Sequence, residues 1–104
     1  MNKDRKSAVE VGASAAVVRQ LTIANRFGIH ARPAALFVKT AGQFAADVQV
    51  EKDGMTVSGK SIMGLLTIEG SQGSVLTVRA TGADAEEALR ALEDLVVKQK
   101  FFED

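Results

Sequence analysis

Hydrophobic and polar positions along the chain fall into short blocks whose periods name their elements. Val17, Val18, Thr22 and Ile23 concentrate β-branched side chains in residues 17–24 and predict a first strand, closed by the turn residues Asn25 and Gly28. Ala34, Phe37, Val38 and Ala41 then recur at three- and four-residue spacing, which predicts a helix over 31–42 with Gly42 as its stop. Val48 and Val50 alternate with Asp47, Gln49 and Glu51, and the alternation resumes at Met55 and Val57 after Lys52-Asp53-Gly54. An Asp-Gly pair between two alternating runs predicts a hairpin.

The apolar piece Ser61-Ile62-Met63-Gly64-Leu65-Leu66 is too brief for a free-standing helix and too apolar for a solvent loop, so it predicts a helical turn lying on the rest of the molecule. Residues 70–74 read as a Gly/Ser loop and 75–80 as a fourth strand. Ala88, Leu89, Leu92, Leu95 and Val96 form the stripe of a last helix, with Asp84 and Glu87 as an acidic capping box. The order is β-α-β-β-α-β-α. Alternating strands imply an antiparallel sheet with one covered face, so the class is α+β. Residues 1–16 show no sustained period and read as a poorly ordered arm, leaving 17–104 as the domain.

Composition narrows the chemistry. The 104 residues suit one domain, and 46% apolar with 25% charged residues suits a packed core. Thirteen basic and 13 acidic residues cancel, and Tyr and Trp are absent, so nucleic acid is not an expected partner. The apolar run near the start is broken by Glu10 and closed by Arg19 and Gln20, which argues against a signal peptide or membrane insertion. Absence of cysteine removes disulfides and thiolate chemistry and suits a cytoplasmic location. A single histidine leaves no His-rich metal site, so no metal or other cofactor is expected.

That histidine stands in Gly28-Ile29-His30-Ala31-Arg32-Pro33-Ala34, at a predicted helix start. A helix N-terminus presents unused backbone N–H groups and partial positive charge, a ready site for phosphate. Positive charge near an imidazole favours its neutral, nucleophilic form, and Arg32 adds a guanidinium suited to phosphoryl oxygens. On the first helix, Arg32, Ala35, Leu36 and Lys39 share a face distinct from the core stripe, and Ile62, Met63 and Leu66 extend it as a candidate docking surface. Ser61 is read as the N-cap of its short helix.

The segment His30-Ala31-Arg32-Pro33-Ala34, preceded by glycine and followed by an amphipathic helix, resembles the active-site motif of the HPr family of histidine-containing phosphocarriers in the phosphoenolpyruvate-dependent phosphotransferase system. The resemblance continues through Lys52-Asp53-Gly54, Lys60-Ser61-Ile62-Met63-Gly64 and Gly82-Ala83-Asp84, over about residues 17–100. It implies an open-faced β-sandwich with sheet order 1-4-2-3 and three helices on one face. It further implies a pros-phosphohistidine at His30, phosphoryl stabilisation by Arg32, and phosphate contacts from the backbone of Ala31 and Arg32. Enzyme I would be the donor and EIIA-type domains the acceptors; HPr kinase/phosphorylase would act on Ser61. The chain would then be a monomeric carrier rather than a stand-alone enzyme. A nitrogen-branch or purely regulatory relative is the alternative. Phe27 and Met55 depart from the family pattern at the rim of the expected docking surface.

Overall fold

The computed structural model describes residues 16–102. The expected arm therefore lies outside the described residues, except Ala16, which opens the first strand. The elements run β1 (Ala16–Thr22), α1 (Ala31–Ala41), β2 (Asp47–Lys52), β3 (Met55–Ser58), α2 (Ile62–Thr67), β4 (Val75–Thr81) and α3 (Ala85–Glu93). The strands form one antiparallel sheet in the order β1-β4-β2-β3, as the family resemblance implies.

Alternation decides which face is covered. Register places Val17, Ala80 and Val48 in one row across β1, β4 and β2, and Val78 and Val50 in the next. Ala80, Val48, Val78 and Val50 are fully buried, while the out-of-phase Val18 and Arg79 stay exposed. All three helices lie over the covered face: α3 meets β1 and β4, α2 meets β3, and α1 packs against both other helices. Phe37 of α1, Leu65 of α2 and Leu89 and Leu92 of α3 are the anchors, each fully buried. Burying one such side chain contributes about 1.5–3 kcal/mol, so this layer supplies most of the cohesion. Arg19 lies on the helix side at the edge of α3 and pairs with Glu86 at 2.5 Å and Glu93 at 3.1 Å. Such part-exposed pairs are worth roughly 0–1 kcal/mol and mainly fix orientation.

The predicted Asp-Gly hairpin turn is present: Asp53 at φ 52° and Gly54 at φ 85° give the two left-handed residues that a tight two-residue turn requires. Ser61 caps α2, its Oγ accepting from the Gly64 N–H at 3.0 Å. The expected capping box at α3 is corrected. Asp84 precedes the helix, but its carboxylate makes no cap to it; Oδ2 and Oδ1 accept from the N–H groups of Ala45 and Ala46, each at 2.9 Å. The acid therefore ties the start of α3 to the loop entering β2. Beyond α3 the chain widens into a π-turn over Asp94–Lys98, and Phe101 folds back into the core at φ 55°.

β1 ends two residues before the predicted limit because Ile23 and Ala24 leave the ladder for a loop. The Ile23 N–H donates to the Ser74 carbonyl at 2.9 Å, its carbonyl accepts from the Gly73 N–H at 2.8 Å, and the Gln72 side chain donates to the Ala24 carbonyl at 3.0 Å. The loop before β4 thus holds the segment that leads into α1.

Asp84→Ala is expected to lower unfolding free energy by about 1.5–3 kcal/mol, the range for hydrogen bonds to a charged group. Asp84→Asn, which keeps one acceptor, should lose less. Urea denaturation gives both values; an Ala variant as stable as the parent would show that the loop holds itself.

Candidate functional site

The site is built outward from the turn at residues 25–30. Gly28 adopts φ 67°, and a Cβ there would stand 2.2 Å from the Gly70 carbonyl oxygen, so only glycine fits. One residue on, the Ile29 N–H donates to that same Gly70 carbonyl at 2.8 Å. Ile29 turns its side chain inward beside Ile23, over Gly70. With Ile29 anchored, His30 falls at the N-cap of α1 in an extended conformation, φ −116° and ψ −165°.

His30 is half-buried and makes no side-chain cap to its helix. Its carbonyl accepts the first intrahelical bond, from the Ala34 N–H at 2.9 Å. The N–H groups of Ala31 and Arg32 precede that bond, so the helix does not use them, and Pro33 has none to satisfy. No acidic residue occupies the first turn of α1. Arg32 is exposed there, two positions from His30. A half-buried imidazole and two backbone donors are thereby set at the positive end of a helix, with an exposed arginine two positions on. This is chemistry for holding a dianionic oxygen cluster next to a ring nitrogen.

The remaining candidates divide between two helices that pack against each other. On α1, Ala35 and Lys39 are exposed and Leu36 is half-buried; on α2, Ile62 is 41% and Met63 74% exposed, with Leu66 half-buried. The core stripe of α1, by contrast, is buried at Ala34, Phe37 and Ala41. Ser61 stands at the N-terminus of α2, half-buried by its cap. Phe27 is 63% exposed and carries the Arg26 guanidinium 5.1 Å from its ring centroid, an aromatic-cation pair on the turn before His30.

By its sequence pattern Asn25 is a turn residue only. It is in fact the buried polar side chain of the described residues, 1% exposed, and its Nδ2 donates to the Gly28 carbonyl at 2.8 Å. An Asn three places before a Gly in a turn is the local signal for such a brace.

Known proteins resemble the chain in sequence and in fold. The family model described as the PTS HPr component phosphorylation site matches residues 17–98. The phosphocarrier protein HPr of Neisseria meningitidis serogroup A is 44% identical over 78 residues, covering 75% of this chain and 88% of that protein. The HPr-like protein Crh of Halalkalibacterium halodurans is 41% identical over 83 residues, covering 80% and 99%. Among solved structures, HPr from Thermoanaerobacter tengcongensis is 48% identical, with a TM-score of 0.80 over 85% of this chain and 98% of that one. An HPr dimer from the same organism matches at 49% identity and TM-score 0.65, over 77% and 92%. Sheet order, helix placement and the matched span all lead to one assignment: this chain belongs to the HPr family of phosphocarrier proteins of the phosphotransferase system.

Proposed function

We propose that the chain accepts a phosphoryl group on Nδ1 of His30 from phosphorylated enzyme I and passes it to EIIA-type acceptor domains, as a carrier rather than a stand-alone enzyme. The observation that carries this reading is the placement of His30 at the start of α1, beside two N–H groups that the helix leaves unused and an exposed Arg32. In the accepting step the Nδ1 lone pair forms a bond to phosphorus. The bond between phosphorus and its donor atom breaks, and that electron pair leaves with the donor. The proton that the imidazole gives up ends on the donor, so the exchange is balanced and reversible. The N–H groups of Ala31 and Arg32 and the Arg32 guanidinium bind the phosphoryl oxygens through charge-assisted hydrogen bonds.

Ala35, Leu36, Lys39, Ile62, Met63 and Leu66 form the proposed docking surface. A flexible, exposed Met63 suits successive partners because its side chain repacks easily. Phosphorylation of Ser61 by an HPr kinase/phosphorylase would place about two negative charges at the edge of that surface and weaken docking. The likeness to an HPr-like protein Crh favours a second reading, a regulatory phosphocarrier with the same fold and other partners. Transfer to an EIIA-type domain separates the two readings. The carrier is proposed to act in the cytoplasm as a monomer.

His30→Ala is expected to abolish acid-labile phosphorylation by enzyme I and phosphoenolpyruvate with the fold retained; acid-labile phosphate on the variant would refute the assignment. Arg32→Ala is expected to slow transfer on the order of ten- to a hundredfold, the equivalent of about 1.5–3 kcal/mol lost in the transition state. Arg32→Lys should fall between, since it keeps the charge without the fork. Stopped-flow transfer from phosphorylated enzyme I measures both, and a parent rate in the Ala variant would leave Arg32 as a surface residue only.

A further inference from the structure

We propose that Asn25 is a positioning residue for phosphoryl transfer, acting on His30 through the Gly28–Ile29 peptide; the proposal rests on the phosphocarrier reading above. Its starting point is a conflict in the turn. The close approach to Gly70 excludes every side chain at Gly28, yet glycine is the residue with the greatest backbone freedom, and it lies immediately before Ile29 and His30. Something outside the glycine must hold its peptide plane.

Two bonds do so from opposite ends. The Ile29 N–H is fixed by the Gly70 carbonyl at 2.8 Å, and the Gly28 carbonyl, belonging to the same peptide unit, is fixed by Asn25 Nδ2 at 2.8 Å. Clamped at both its donor and its acceptor, this unit cannot rotate, and the chain leaves it in one direction toward His30. Loss of the Asn25 bond would release the acceptor end and let the imidazole and the N–H groups of Ala31 and Arg32 drift relative to one another.

The second observation concerns burial. Asn25 is 1% exposed, so its Nδ2 bond to the Gly28 carbonyl is shielded from solvent and water does not readily take its place. An apolar side chain of similar size would leave that carbonyl without its donor, in the peptide that leads directly into His30.

Asn25→Ala and Asn25→Ser, neither of which reaches the Gly28 carbonyl, provide the test. Each is compared with the parent at a temperature where circular dichroism shows it folded, in steady-state phosphate acceptance from phosphorylated enzyme I and in NMR spectra of the His30 ring. The expected result is a kcat lowered on the order of tenfold or more with KM within about twofold, together with shifted or broadened His30 ring resonances. Parent kcat with parent ring resonances would overturn the proposal. So would failure of both variants to fold at any temperature, because the bond would then serve the fold itself. If the parent chain takes no phosphate, the phosphocarrier reading has failed, and the ring resonances still decide whether Asn25 places His30.

Discussion

Backbone pairing between the turn before α1 and the loop before β4 sets the position of everything that follows. Ile23 exchanges hydrogen bonds with Gly73 and Ser74, Ile29 donates to Gly70, and Gln72 reaches back to Ala24, so two irregular segments hold each other where the sheet ladder has ended. The contact is tight enough to exclude a Cβ at Gly28. It aims the chain so that α1 begins at His30, and it depends in turn on β1 and β4 being neighbours, the feature that the order β1-β4-β2-β3 provides.

From that constraint the chemistry follows with few parts. A chain of zero net charge has no long-range field, so attraction for the proposed phosphorylated partner must be local. The start of α1 supplies it: unused N–H groups, no acidic residue in the first turn, and Arg32. The helix that carries these groups, α1, packs against α2, which presents Met63 and Ile62 outward, while Phe37 of α1 and Leu65 of α2 lock into the core. The proposed phosphate chemistry and partner contact would thereby be mounted on elements anchored in the core.

Much of this was legible in the sequence because it rests on periodicity and local rules. The stripes of α1 and α3, the strand alternation and the Asp53-Gly54 turn each obey a pattern confined to a few neighbouring residues, and the structure reproduces them, except that Leu95 and Val96 of the predicted last stripe lie in the π-turn beyond α3. The family resemblance added the sheet order. What escaped depends on distant partners. Asp84 resembled a helix cap by local pattern, but it serves Ala45 and Ala46, far away along the chain. Asn25 reads as a turn residue, and its burial, unlike its bond to Gly28 three residues on, is not written in the turn itself. The early end of β1 has the same cause, since Ile23 is a β-former by composition and a loop residue by what pairs with it. Placement of the docking candidates on two packed helices was likewise beyond periodicity, because it requires α1 and α2 to meet.

Heteronuclear NMR on 15N-labelled chain phosphorylated by enzyme I and phosphoenolpyruvate identifies the accepting atom. Phosphorus is expected on Nδ1 of the His30 ring, with the Ala31 and Arg32 amide resonances shifted by the new hydrogen bonds and Ser61 unmodified. Phosphate found on any other residue, or a His30 ring unchanged after complete turnover of the donor, would contradict it.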